Sequence, residues 1–184
     1  MKSIIALRYR RVLCGTAMAA CLVTLLRLVS AAPALGQAVI ATIPVGQMPI
    51  AIAVNRMTDK IYVSCLANDV ITVIDGATNT TTASLRDPNA SFVQQVAVNP
   101  VTNKIYVANF NSSNVTVIDG ATNSITTVTD PNASGSHFVA VNSTTNKIYV
   151  ANWNSQNITV IDGPPTLPPV SQLARTPISL HLTQ

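Results

Sequence analysis

The stretch VTNKIYVANFNSSNVTVIDGATN, residues 101–123, decides the fold, because two further versions of it occur in the same chain. The upstream copy is MTDKIYVSCLANDVITVIDGATN at residues 57–79, and the downstream copy is STTNKIYVANWNSQNITVIDG at residues 143–163. The Ile of each IYV triplet lies at positions 61, 105 and 148, so it recurs at intervals of 44 and 43 residues. A period held this closely predicts a repeat architecture.

Each period contains four short runs of alternating apolar residues, separated by Asn, Asp, Gly, Pro and Thr, which predicts four consecutive antiparallel strands. Four such strands in about 44 residues match the size of a β-propeller blade. The sequence therefore predicts an all-β fold, a β-propeller with three four-stranded blades in an incomplete ring. The blades are expected near residues 46–87, 92–130 and 137–163. Their first strands are expected at 50–55, 95–99 and 138–142, and their second strands begin at Lys60, Lys104 and Lys147. Their third strands are expected at 71–75, 115–119 and 158–162. Fourth strands are expected in the first two blades, at 80–85 and 124–129.

The segments IYVAN, VTVIDGATN and AVN resemble the YVTN family of β-propeller repeats, found in exported and surface-layer proteins of bacteria and archaea. The tetrapeptide that names the family appears here as YVSC at residues 62–65 and as YVAN at 106–109 and 149–152. The resemblance covers residues 39–163. It implies the propeller fold but no single activity, because similar proteins include binding, structural and enzyme-associated ones.

Residues 1–38 are predicted to be a secretory signal peptide. Lys2 and three Arg residues precede an apolar run over residues 12–26, and small residues follow it. Cleavage is expected after Ala34 or Ala38. The run is shorter than the roughly 20 residues that a membrane-spanning helix needs. We therefore expect an exported protein, periplasmic or at the cell surface.

Removal of this leader reverses the charge of the chain. The leader holds five of the 11 Lys and Arg residues, so the rest carries six against seven Asp, a net charge of −1. The basic pI of 9.2 thus belongs to the precursor, and no nucleic-acid partner is expected. Only Cys65 remains after cleavage, which excludes a disulfide within the mature chain.

The ends of the repeat region are irregular. Residues 39–45, VIATIPV, predict an orphan fourth strand ahead of the first blade, whereas the third copy breaks after Gly163 into a Pro-rich tail, residues 164–184, expected to be disordered. Propellers typically close with four to eight blades. We therefore favour a piece of a longer propeller. The alternative is a homodimer that completes a six-bladed ring, each chain giving its first strand to the other's last blade.

The turn Asp-Gly-Ala-Thr-Asn follows the third strand. Gly76 and Gly120 are expected to take positive φ there, and Asp75, Asp119 and Asp162 are expected to bond the turn amides. The Lys residue that begins each second strand is expected to be a solvated charge.

In a propeller, the loops after the second and the fourth strands share one face. Here these loops collect aromatic and amide side chains, and the candidate ligand-binding residues are Phe110, Trp153, Asn109, Asn152 and His137. Rings and amides suit a glycan, a peptide or a partner surface. The alternative interpretation is that Phe110 and Trp153 occupy one equivalent position and pack between blades.

The sequence has few of the residue arrangements that catalysis requires. His137 has no second His at metal-ligand spacing, the chain contains no Glu, and no Gly-x-Ser-x-Gly motif occurs. We expect no metal, no cofactor and no enzymatic activity. The sequence favours an exported binding or cell-envelope interaction scaffold with a protein or glycan partner. The alternative is a propeller enzyme or enzyme-associated subunit, lactonase-like or dehydrogenase-associated, which would need a cluster of acidic or His ligands on one face.

Overall fold

A computed structural model describes residues 37–165. The predicted signal peptide as far as residue 36 and the predicted tail from residue 166 onwards lie outside the described residues. All strands belong to the compact unit that begins at Ala41. Within residues 37–165 the only helix is the short 3-10 turn Leu66–Asn68, and no helix is long and apolar enough to cross a membrane.

Eleven strands form three antiparallel sheets, in which each strand pairs with the next along the chain. This confirms the all-β repeat, and the third sheet has three strands in the described part of the chain. Sheet 1 contains β1 (Pro49–Asn55), β2 (Lys60–Cys65), β3 (Val70–Asp75) and β4 (Thr80–Leu85). Sheet 2 contains β5 (Val93–Asn99), β6 (Lys104–Asn109), β7 (Asn114–Asp119) and β8 (Ile125–Thr129), and sheet 3 contains β9 (Ser136–Asn142), β10 (Lys147–Asn152) and β11 (Asn157–Asp162).

The sheets pack face to face, with their first strands side by side: β1 contacts β5, and β5 contacts β9. Successive side chains of a strand point to opposite faces, so apolar residues at consecutive positions give each sheet two apolar faces. The layer between sheets 1 and 2 includes Tyr62, Ile71 and Val73 from sheet 1 against Val96, Ile105 and Val107 from sheet 2. The layer between sheets 2 and 3 includes Tyr106, Val115, Val139, Ile148 and Val150. Small twisted sheets that bury their faces against their neighbours are propeller blades, and the three sheets of residues 37–165 do not close a ring.

The Asn that ends each AVN segment links one sheet to the next. Asn55 Nδ2 donates to Asn103 Oδ1 at 2.7 Å, and Asn99 Nδ2 donates to Asn146 Oδ1 at 2.8 Å. Asn55 and Asn99 are fully buried. An amide satisfied in this way costs little to bury, which explains a polar residue at the end of an apolar strand.

A second polar link joins the end of the fourth strand to the third strand of the next sheet. The buried Asp87 carboxylate accepts hydrogen bonds from Thr116 Oγ1 at 2.7 Å and from Thr127 Oγ1 at 2.9 Å. One period later, Asp130 accepts from Thr159 Oγ1 at 2.6 Å, and this bond lowers the pKa of Asp130. Charge-assisted bonds of this kind are stronger than bonds between neutral groups.

The expectation of positive φ at Gly76 and Gly120 is wrong. The left-handed residues near these turns are Asn79 and Asn123, and Gly135 is the only glycine with positive φ in the described part of the chain. Glycine is instead required by close approach, because a Cβ on Gly76 would lie 2.6 Å from the carbonyl oxygen of Asp59. Asp75 does bond the turn, accepting the Thr78 amide at 2.8 Å.

The lysines that begin the second strands are paired, whereas solvated charges were expected. Lys104 Nζ lies 2.6 Å from the Asp119 carboxylate, Lys147 pairs with Asp162, and Lys60 Nζ donates to the Gly120 carbonyl of sheet 2 at 2.9 Å. The Lys104 hydrogen bond, aided by the turn amides, lowers the pKa of Asp119 to about 2.

Residues 39–45 form no strand in this structure. Ile43 and Val45 instead pack against Val63, Cys65 and Ile74, on the face of sheet 1 that points away from sheet 2. Two polar contacts accompany this packing: Pro44 O accepts from Thr81 Oγ1 at 2.9 Å, and Gly46 N donates to Thr72 Oγ1 at 3.2 Å. A fourth strand pairs with the third strand of its own blade, and β3 of sheet 1 already pairs with β4. The assignment of residues 39–45 as a fourth strand therefore stays a prediction for a closed ring.

Candidate functional site

Two sets of loops meet on one face of the sheets, which we call the loop face. Phe110 N donates to Phe92 O at 3.0 Å, and Trp153 N donates to Gly135 O at 2.8 Å. Each bond joins the loop after a second strand to the loop that precedes the first strand of the same sheet. Bonds between sheets add to this, since Phe92 N donates to Asp69 Oδ1 at 2.7 Å. The backbone of the loop face is therefore held by many hydrogen bonds.

Phe92 adopts the left-handed conformation, with φ of 64°. Its counterparts in the other repeats are Met48, with φ of 53°, and Gly135, with φ of 70°. A bulky residue with positive φ is uncommon and strained, and such residues cluster at functional sites. Here the conformation brings the Phe92 ring beside Phe110.

Five rings form a continuous group, which we call the aromatic row: Phe92, Phe110, His137, Phe138 and Trp153. The ring centroids of Phe92 and Phe110 are 6.2 Å apart, and the Phe110 and His137 rings meet edge to face at 5.8 Å. His137 then contacts Phe138 at 4.2 Å and Trp153 at 5.7 Å. Tilted and edge-to-face contacts at these distances are favourable for aromatic pairs. The row thus crosses from sheet 2 to sheet 3.

The outer members of the row are open to solvent. Trp153 is 69% exposed, Phe138 50% and Phe92 40%. His137 lies at the centre of the row, and its Nδ1 is buried without a hydrogen-bond partner among the described residues. An unpaired buried nitrogen costs free energy unless a ligand group or water bonds it.

Two shallow clefts flank His137 and Phe138. One, of about 250 Å³, lies beside Trp153 and is also lined by the amides of Asn152, Gln156 and Asn157. The other, of about 260 Å³, opens between the starts of the three first strands and is also lined by Ile50, Leu66, Gln94 and Gln95. Each cleft combines ring surface with amide side chains, of which Asn152 and Asn157 are already held by hydrogen bonds within the protein.

Asn109 and Asn152, predicted as ligand-binding residues, instead form hydrogen bonds within their own sheets. Asn109 Nδ2 donates to Asn114 Oδ1 at 2.8 Å and to Thr116 Oγ1 at 2.9 Å. Asn152 makes the matching bonds to Asn157 and Thr159, and both Asn side chains are buried. In sheet 1 the equivalent residue is Cys65, whose Sγ lies 3.7 Å from Thr72 Oγ1. These contacts favour a structural role for Asn109 and Asn152.

The other three predicted residues, Phe110, His137 and Trp153, do come together. Phe110 lies half-buried between Phe92 and His137, which agrees in part with the alternative that it packs between blades. Trp153, at the equivalent position of sheet 3, is exposed. Phe92 and Phe138 were not among the predicted site residues, although the adjacent pair His137-Phe138 at a strand start was a usable signal.

No group of three or more His, Cys, Asp or Glu side chains within residues 37–165 is placed to hold a metal ion. Chemically, the aromatic row can stack on planar or apolar ligand surfaces, and the flanking amides can exchange hydrogen bonds with polar groups.

Solved structures with a similar fold include propeller proteins. A hydrazine synthase from Kuenenia stuttgartiensis matches with a TM-score of 0.55 and 22% identity, over 70% of this chain and 35% of that chain. A nidogen/laminin complex matches with a TM-score of 0.53 and 13% identity, over 62% of this chain and 43% of that one. Sqt1 from Saccharomyces cerevisiae matches with a TM-score of 0.51 and 12% identity, over 64% and 31%.

These likenesses show the β-propeller fold. The chain spans 31–43% of the length of the three structures. No protein-family model matches the sequence, and no curated protein matches it. The resemblance to the YVTN repeat therefore stays a prediction made from residues 39–163.

Proposed function

We propose that this protein is an exported, non-enzymatic binding module of the cell envelope, and that its ligand is a carbohydrate held against the aromatic row. The observation that carries the proposal is the row itself, in which each of five rings contacts at least one other and Trp153 and Phe138 are open to solvent. Rings of this size that are exposed to water forgo the hydrophobic stabilisation that burial would give. Their clustering on one face therefore favours a binding surface.

The surroundings of Trp153 favour a sugar. A pyranose ring has an apolar face of C–H groups and a rim of hydroxyls. The exposed indole supplies a flat surface for the apolar face, and the amide-bearing side chain of Gln156 lines the same cleft. Amides both donate and accept, which matches hydroxyl groups.

A protein partner is the second candidate. Its support is the length of the aromatic row, which spans two sheets and exceeds what a single sugar ring would cover. Tyr, Trp and Phe are enriched in the cores of protein interfaces for the same reason that they suit sugars.

The support for export is the leader at residues 1–38, in which basic residues precede an apolar run and small residues follow it. Mass spectrometry of the protein from the cell envelope would test the cleavage. A mature chain starting at Leu35 or Val39 is expected, and a chain that keeps residues 1–38 would contradict it.

Carbohydrate binding is tested on an array of cell-wall and capsular oligosaccharides, followed by calorimetric titration of the best oligosaccharide. Trp153→Ala is expected to weaken binding by about tenfold or more, because it removes the main stacking surface. Val101→Ala is the matched control, since Val101 is 66% exposed and lies in the loop between β5 and β6, on the opposite face.

The array also separates the two candidates. If no oligosaccharide binds, while an envelope protein is retained by the wild type and by Val101→Ala but not by Trp153→Ala, the protein partner replaces the carbohydrate. If Trp153→Ala and Phe110→Ala leave every interaction unchanged, the aromatic row is not the binding surface.

A further inference from the structure

The two outermost sheet faces carry apolar residues that no neighbouring sheet covers in the described chain. We call the face of sheet 1 that points away from sheet 2 the leading face, and the face of sheet 3 that points away from sheet 2 the trailing face. On the leading face Ile52 and Val54 are 66% and 52% exposed. On the trailing face Tyr149, Ile158 and Val160 are 39%, 57% and 53% exposed.

The repeat shows what each face fits. The counterpart of Ile52 in sheet 2 is Val96, and the counterpart of Val160 in sheet 1 is Val73. Val96 and Val73 pack in one buried layer, at 4% and 1% exposure. The counterparts of Tyr149 are Tyr62 and Tyr106, both buried. The leading and trailing faces are therefore copies of the two surfaces that already pack together between sheets 1 and 2.

The polar links between sheets repeat the same pattern. Asn55 and Asn99 each donate to the residue at the start of the next sheet's second strand, Asn103 or Asn146. Asn142 is the third member of the series, is exposed, and makes no such bond among residues 37–165. The acceptor missing from the series is Asp59, which is exposed on sheet 1. A trailing face placed on a leading face would bring Asn142 to Asp59.

Within residues 37–165, sheet 3 also has an unpaired strand edge. Among the described residues β11 pairs only with β10, whereas β3 and β7 each pair on both sides. The segment that fits this edge is residues 39–45, because Ile43 and Val45 already lie on the leading face, where the fourth strand of a preceding sheet would pack. Unpaired edges favour the addition of a strand from another chain.

From these features we propose that two copies of this chain associate head to tail, each trailing face packing on the partner's leading face, to close a six-bladed ring. Each copy gives its segment 39–45 to the β11 edge of the other. Counting only the three sheets described within residues 37–165, two copies give six blades, within the four to eight of closed propellers, whereas three copies would give nine. The two contacts are equivalent by two-fold symmetry, so the assembly ends at a dimer. Phe138 enters the contact, and Trp153 takes the half-buried position that Phe110 has within one chain. The contact therefore covers part of the cleft assigned to the carbohydrate, and we expect dimerisation and carbohydrate binding to compete.

The test is sedimentation equilibrium of the whole chain over a wide range of concentration. The expected mass is twice that of the monomer, which is 19.4 kDa for all 184 residues and correspondingly less for the chain without residues 1–38. Trp153 is the only Trp, so its fluorescence emission is expected to shift to shorter wavelength as dimer forms. A protein that stays monomeric at every concentration, or that forms open-ended filaments, overturns the proposal.

Two surface variants show which faces meet. Ile52→Asp on the leading face and Val160→Asp on the trailing face are each expected to weaken dimerisation by about tenfold or more, because each places a charge in an apolar contact. Val101→Asp is the matched control, with the same 66% exposure as Ile52 but on neither face. Circular dichroism confirms that each variant keeps its strands, as expected for residues exposed in the monomer.

A mixture of the two variants separates a head-to-tail contact from a symmetric one. In the head-to-tail ring, the intact trailing face of Ile52→Asp meets the intact leading face of Val160→Asp, so mixing restores one of the two contacts and part of the dimer. If only the leading faces met each other, Val160→Asp would dimerise as the wild type does. That result, or equal weakening by Val101→Asp, overturns the assignment of the faces.

Discussion

The tyrosines of the three IYV triplets occupy one position of the repeat and have different surroundings. Tyr62 and Tyr106 lie in the layers between sheets and are 0% and 1% exposed, whereas Tyr149 on the trailing face is 39% exposed. Burial raises the pKa of the Tyr62 hydroxyl, with a further contribution from Asp119, and burial also raises the pKa of Tyr106. Neither hydroxyl has a hydrogen-bond partner among the described residues.

This contrast shows that a residue of the repeat is buried when a neighbouring sheet covers its face, whatever its position in the repeat. The same is true of Ile71 and Ile158, which are equivalent residues of the third strand at 0% and 57% exposure. In repeat architectures each unit buries its faces only against its neighbours. Equivalent substitutions in the inner layers and on the outer faces should therefore differ in effect.

The largest difference is expected between Ile71→Ala and Ile158→Ala. Loss of a fully buried Ile side chain should lower the free energy of unfolding by about 2–5 kcal/mol, whereas the exposed Ile158 should cost under about 0.5 kcal/mol in dilute protein. Urea unfolding measures both. If the head-to-tail dimer forms, the cost of Ile158→Ala will grow with protein concentration. Equal costs at low concentration would contradict the contrast between inner layers and outer faces.

Next in size is the effect of the Asp that joins the fourth strand to the next sheet. Asp87→Ala removes a buried carboxylate that holds Thr116 and Thr127, and should cost about 2–4 kcal/mol of unfolding free energy. Asp130→Ala, its equivalent in the more exposed link to sheet 3, should cost less. Thermal unfolding of the two variants side by side tests this order, and a larger loss for Asp130→Ala would reverse it.

A smaller effect is expected for the Asn residues that end the first strands. Asn99→Ala breaks the buried bond to Asn146 and leaves the amides of the following loop without an acceptor, at a cost of about 1–3 kcal/mol. Asn142→Ala also removes the acceptor for its loop, the amides of Thr144 and Thr145, but breaks no bond between sheets within one chain. The excess loss in Asn99→Ala, measured by urea unfolding, therefore isolates the link between sheets. No excess would mean that the link adds nothing.

The smallest expected effect is a pH dependence in sheet 2. The hydrogen bond from Lys104 holds the folded pKa of Asp119 at about 2, below its ordinary value of 3.8. A lowered pKa means that the carboxylate stabilises the fold fully above about pH 4 and loses that contribution as the pH falls towards 2. Asp119→Asn should flatten this part of the stability profile, and Lys104→Met should reduce it. A profile unchanged by both variants would show that the pair contributes nothing.

The sequence predicts the loop face better than the site on it. The alternation of loops and strands places Phe110, His137 and Trp153 on one face, and the structure joins them through ring contacts. The sequence does not reveal that Asn109 and Asn152 point into their own sheets. An Asn at a strand end has the same sequence context whether its amide bonds a neighbouring side chain or a ligand. The same limit applies to Phe92, whose left-handed backbone is set by the hydrogen bonds of the loops around it.

What the sequence by itself determines is the repeat: its period, the order of its strands, the antiparallel pairing and the blade size follow from the spacing of IYV, VIDG and AVN. Tertiary structure alone decides how glycine, lysine and asparagine are used. Gly76 is required by the approach of the Asp59 carbonyl, Lys60 reaches the Gly120 carbonyl of the next sheet, and Asn99 bonds Asn146 across the layer. The physical reason is range: strand pattern is a local property of the chain, whereas a close approach or a bond between sheets depends on residues one period away.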